Sequence, residues 1–178
     1  MRKILVFLVV NYLILTGCSG SNLPEVHNNR PVLKIENYFA GKTKAWGIFE
    51  DRFGTVKRQF HVDITGTWDG SELMLEEFFI FDDGETDERV WRIKKINNHT
   101  YEGKANDILG KAKGQSFGNA FNWQYEMTME IGSLAIDVHF DDWMFLQSEK
   151  VLINRAEITK LGIKIGVVTL FFIKDKSL

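Results

Sequence analysis

Cysteine and proline are almost missing from these 178 residues: Cys18 is the one cysteine, and Pro24 and Pro31 are the two prolines. A single thiol excludes any intrachain disulfide, so the fold must be held by its own core. Charge of one sign is also lacking. The formal net charge is −2, with Lys and Arg scattered along the chain, and no basic stripe marks a nucleic-acid partner. After residue 16 no apolar run is long enough to span a bilayer as a helix. There is no repeat of solenoid length and no low-complexity tract. Helical periodicity is scarce after residue 45, whereas alternation of apolar and polar residues is plentiful.

The N-terminus holds what the rest lacks. Arg2 and Lys3 precede an apolar stretch, Ile4 to Leu15, interrupted only by Asn11. It is too short for an ordinary membrane span and reads as a signal peptide over residues 1–17. Its end, Leu15-Thr16-Gly17-Cys18, resembles the lipobox of bacterial lipoproteins. The resemblance implies cleavage before Cys18 and acylation of that cysteine, palmitate included. Two or more acyl chains hold a protein on a bilayer durably. Loss of Arg2 and Lys3 takes the formal charge from −2 to −4. Ser19 stands where inner-membrane lipoproteins often carry aspartate, so by analogy with lipoprotein sorting the address is the periplasmic face of the outer membrane. Residues 18–30 read as the lipidated end and a polar tether, and residues 31–178 as one domain.

That domain alternates. VKRQFHVDITGTW puts Val56, Arg58, Phe60, Val62 and Ile64 on one face; GSELMLEEFFIFDDG puts Leu73, Leu75, Phe79 and Phe81 together. AFNWQYEMTME sets Phe121, Trp123, Tyr125, Met127 and Met129 against Asn122, Gln124, Glu126 and Thr128, and SLAIDVHF aligns Leu134, Ile136, Val138 and Phe140. Asp69-Gly70, Asp83-Gly84 and Asn97-Asn98 mark turns between such segments. The pattern predicts an all-β fold: a single antiparallel up-and-down barrel of eight to ten strands. Short helical pieces are expected only in residues 31–40 and as one turn from Glu157 to Leu161.

Small residues recur in YEGKANDILGKAKGQSFGNA, including Gly103, Ala105, Ala112 and Ala120. On an inward face they leave room for a ligand, or they serve as bends in a packed interior. With Trp46, Trp123 and Trp143 they form the candidate cavity lining.

The stretches NYFAGKTKAWGIFEDRFG, DITGTWDG, FFIFDDGETDERVW, FDDWMF and LINRAEITKLGIKIGVVTLFF resemble a bacterial lipoprotein family carrying a domain of unknown function. The resemblance implies a lipocalin-like barrel and leaves activity open. Lipocalins carry a Gly-x-Trp in the first strand, with a late arginine across the indole. Here Lys44 stands two before Trp46, so the motif is not met, although Arg155 could take the arginine's place by stacking on Trp46.

Catalytic signals are sparse. Gly114-Gln115-Ser116-Phe117-Gly118 has the spelling of a nucleophile elbow without its strand-to-helix context. The four histidines are isolated, so no metal site is expected, and no cofactor motif is legible. Polar residues do gather beside apolar strands: Arg52, Asp107, Asp141, Asp142 and Arg155, with Asp51, Asn119 and Asn154 nearby in context. A carboxylate buried there needs an arginine or several N–H donors. In FDDWMF, alternation places Asp142 with Phe140 on the apolar face and Asp141 with His139. Asp142 is therefore expected to be buried, paired with Arg155 or Arg52 in a structural cluster, and its loss to lower the melting temperature. These readings point to a lipid-anchored barrel whose partners are the membrane, through acyl chains, and a lipid or other hydrophobic small molecule. The alternatives are an enzyme acting on a lipid-like substrate through an Asp/Arg cluster, and a solid barrel serving as an envelope docking module.

If Cys18 carries the anchor, Cys18→Ala releases the protein from membranes; persistence in the membrane fraction after a salt wash would refute it.

Overall fold

The structure, a computed structural model, describes residues 30–131 and 134–175. The expected signal peptide, Cys18 and nearly all of the tether lie outside the described residues.

Ten antiparallel strands follow one short helix, α1 (Ile35–Phe39). They are β1 (Gly41–Asp51), β2 (Val56–Trp68), β3 (Glu72–Phe81), β4 (Thr86–Lys95), β5 (Thr100–Lys104), β6 (Ile108–Phe117), β7 (Ala120–Ile131), β8 (Leu134–Leu146), β9 (Val151–Lys160) and β10 (Ile163–Lys174). Each pairs with its neighbours in sequence, and β1 pairs with β10 to close the barrel. The closing seam runs from Thr43 opposite Lys174 to Asp51 opposite Gly166. Closure removes the unpaired edges that an open sheet would leave.

Alternation decides what lies inside. Ala45, Val62, Ile64, Leu73, Leu75, Trp91, Ile93, Trp123, Phe140 and Ile158 are all buried. Short side-chain devices set the hairpins: Asp51 Oδ1 accepts from the Phe53 and Thr55 amides, and Asp69 Oδ1 from those of Ser71 and Glu72. Residues 157–160 do not form the helical turn expected of them. They belong to β9, because Leu152, Asn154, Ala156 and Ile158 alternate inward. The chain reverses at Leu161 and Gly162, with φ of 50° and 76°, the pair of positive angles that a tight hairpin turn requires.

The segment 31–40 does hold a helix, and α1 plugs one barrel end. Leu33, Ile35, Tyr38 and Phe39 are buried there, with Phe39 edge-on to Phe172 at 5.7 Å. Polar ties hold the plug. Ser116 Oγ donates to the Leu33 carbonyl, which makes this serine structural, and Tyr38 donates to the Lys150 carbonyl. The buried Glu36 receives Lys95 Nζ at 2.6 Å and Tyr101 OH at 2.9 Å. Burial works against its ionisation, but these two donors outweigh it and hold the carboxyl below its usual range. Gly66 lets the plug approach β2: a Cβ there would lie 1.9 Å from the Phe39 carbonyl oxygen. The clash is with backbone and cannot be relieved by a rotamer change. Gly66→Ala should therefore cost about 1–3 kcal/mol, seen as a lower urea midpoint; an unchanged midpoint would mean that α1 is not seated there.

Candidate functional site

Inside the barrel lies a cavity of about 610 Å³. Its apolar wall includes Phe49, Phe60, Phe79, Trp91, Trp123, Met144 and Leu170. The plugged end is lined by Ile35 and Phe39, whereas Arg58, Phe81 and Asp87 come from the opposite, hairpin end. There Arg58 bonds Asp83 at 3.1 Å and also Glu85, with its guanidinium 3.6 Å above the Phe81 ring.

Polar groups interrupt the wall partway along the barrel. Glu77 on β3 and Arg89 on β4 face each other across one register pair. Arg89 turns to Asp107 instead, through Nε at 2.8 Å and Nη2 at 2.6 Å from Oδ2. Asp142 on β8 accepts from the Asn154 amide on β9, and Tyr125 of β7 completes the group. No described side chain donates a hydrogen bond to Glu77.

Burial dominates the electrostatics. It pushes the Glu77 carboxyl up to about 7, with Arg89 opposing and the charges of Asp107 and Asp142 adding to the rise. Burial likewise raises Asp142 to about 6; the Asn154 bond works against this and the charge of Asp141 with it. Tyr125 is held well above its ordinary value, again chiefly by burial. Two carboxyls that change protonation near neutrality thus face one another across an apolar chamber.

The expected site residues fall in different places. Asp142 is buried on the inner face, and Asp107 and Trp123 also line the cavity. The partner of Asp142 is Asn154, not an arginine. Arg155 points outward because it alternates with the buried Asn154 and Ala156, and Arg52 lies in the exposed β1–β2 turn over Phe53. Asp141 faces outward too, accepting from Asn122 at 2.6 Å and Gln124 at 3.1 Å. Trp46 is 47% exposed on the outer face opposite Phe171, which also separates it from Arg155 as a stacking partner by one strand. Trp143 stacks outside between Phe117 and Phe145. Gly103, Ala105, Ala112 and Ala120 do not line the cavity. A Cβ at Gly103 would meet the Trp123 ring at 2.6 Å, and one at Gly114 would meet Phe121 at 2.5 Å. Gly103 and Gly114 thus make room for large neighbouring rings.

Glu77 and Arg89 were missed, although the signal is in the sequence. Glu77 occupies the middle of the inward series Leu73, Leu75, Phe79, Phe81, and Arg89 continues Trp91 and Ile93 backwards by the same step of two. A charge on a buried face is the informative observation.

Fold and cavity together define a hollow up-and-down barrel of lipocalin-like class. The chain belongs to the family described as protein of unknown function DUF3833, whose model matches residues 12–174. No curated protein matches the sequence. Among solved structures it is similar to the S-type phycobiliprotein lyase CPES from Guillardia theta, with a TM-score of 0.57 and 10% identity over 80% of this chain and 92% of that one. It is equally similar, at 0.57 and 12% identity, to a protein of unknown function from the DUF3598 family of Nostoc punctiforme. That alignment covers 87% of this chain and 53% of the other. At such identities the likeness is one of fold.

Because Glu77 and Asp142 have folded pKa values above their unfolded ones, the native state holds more protons than the unfolded state between roughly pH 4 and 7. Their contribution is therefore most favourable at low pH and is lost as pH rises, on the order of 3 kcal/mol for each group. Thermal melts should show wild type losing stability relative to Glu77→Gln and Asp142→Asn as pH is raised from about 5 to about 8. Asp142→Asn should leave the melting temperature unchanged or raised at neutral pH, the reverse of what an arginine pair implies. A clear fall there would restore the ion-pair reading.

Proposed function

We propose that the protein is a membrane-anchored carrier that binds a small apolar or amphipathic molecule inside its barrel, with Cys18 as the anchor point. The cavity carries this reading. A chamber of about 610 Å³ walled mainly by Phe, Trp, Met and aliphatic side chains leaves a large apolar surface unpacked inside the barrel. Such a space is built to be occupied, and its size suits one small ligand with a few convergent polar groups. It argues against a solid docking module. The periplasmic face of the outer membrane remains part of the proposal, on the strength of residues 1–18.

Val168 lines the cavity from β10. Val168→Trp should fill part of it and reduce uptake of the neutral apolar dye Nile red by the full chain at least severalfold, with stability lowered only modestly. Equal dye binding by the two proteins would remove the carrier reading.

A further inference from the structure

The charges inside the cavity do not balance. Glu77, Asp107 and Asp142 stand in its wall against Arg89, while Arg58 and the exposed Asp87 and Glu130 lie at its open rim. Both cations are already committed, Arg58 to Asp83 and Glu85 near the mouth and Arg89 to Asp107 within. Glu77 and Asp142 are left without a cationic partner. The unmet needs of the polar group are also all of one kind. Asp107 Oδ1 and Asn154 Oδ1 are buried with no donor, and Asn154, 1% exposed, lines the cavity. With Glu77, which no described side chain donates to, three acceptor groups on three elements of the wall lack a donor, and Asp142 has only a neutral amide.

A ligand that meets these needs brings donors and positive charge together. An ammonium has three N–H donors and no acceptor, so it satisfies the carboxylates without adding an unmet group of its own. Trp91 and Tyr125, packed edge to face at 5.4 Å, line the cavity next to the polar group. A carboxylate head, as in a fatty acid, meets like charge in a low-dielectric space. We propose that the cavity takes an apolar molecule ending in a protonated amine, its head held between Glu77 and Asp142 and its tail against the Phe and Trp wall. This rests on the carrier reading and specifies the class of ligand.

Binding is then coupled to protons. The head is held by ionised carboxylates, so amine affinity falls as pH drops and Glu77 and then Asp142 take up protons. The charged and titratable groups facing them are Arg58 on β2, Arg89 on β4, Asp107 in the β5–β6 turn and Tyr125 on β7, with Asp141 adjacent on the outer face. Arg89, bonded to Asp107, stays charged against the effect of burial.

The test compares dodecylamine, dodecanol and dodecanoate below their micelle concentrations, binding to the full chain by displacement of Nile red. Dodecylamine should bind at least about tenfold more tightly than either of the others near neutral pH, and more weakly at about pH 5. Glu77→Gln should lower amine affinity about tenfold while leaving dodecanol unchanged, which separates loss of the charge from loss of the fold. Dodecanoate or dodecanol binding as tightly as dodecylamine, or amine affinity independent of pH, overturns the amine proposal and leaves the carrier standing. Failure of Nile red and all three amphiphiles to bind overturns both.

Discussion

The pairing of β1 with β10 is the contact on which everything else depends. It turns a ten-stranded meander into a closed wall, and a closed wall converts strict alternation into an inside and an outside. Once the wall is closed, an inward carboxylate cannot turn away to bulk water as it could on an open sheet. The raised values of Glu77 and Asp142 follow from that confinement more than from any neighbouring charge. The unequal sizes of the inward residues then leave the hollow, since the rings of Trp123 and Phe121 fill the side nearest β5 and β6 and leave the centre free.

Two polar systems sit within the same apolar interior and behave in opposite ways. At the plugged end, Glu36 has both a lysine and a tyrosine hydroxyl, and its carboxyl is held low. That group is satisfied and serves to fix α1 against the barrel. Farther in, Glu77 has no hydrogen-bond donor among the described residues, Asp142 has a neutral amide, and both are pushed up. A satisfied buried carboxylate is a structural tie, whereas an unsatisfied one beside a cavity keeps its hydrogen-bonding capacity open. The same residue type thus closes one end of the barrel and equips the middle.

The sequence by itself determined the fold class and the short helix before the first strand. Those features rest on a period of two, on Asp-Gly and Asn turns and on a proline-poor chain, all of which are local. It also placed Asp142 on the inner face, because the count from Val138 and Phe140 is unbroken. The end of β9 misled, since Glu157 to Leu161 carries few turn signals until Gly162, and only pairing with β10 showed it to be a strand.

Partnership was decided by the tertiary structure alone. Asp142 meets Asn154 because β8 and β9 are adjacent in the sheet, and Arg89 meets Asp107 because the antiparallel pairing of β4 with β5 brings the β5–β6 turn beside the start of β4. Nothing in the spacing of these residues along the chain encodes those meetings. The same holds for the tryptophans: Trp46, Trp123 and Trp143 look alike as aromatic strand residues, yet only Trp123 faces the cavity. The pattern of a strand specifies two faces, but closure of the barrel decides which becomes the interior and which side chains meet there.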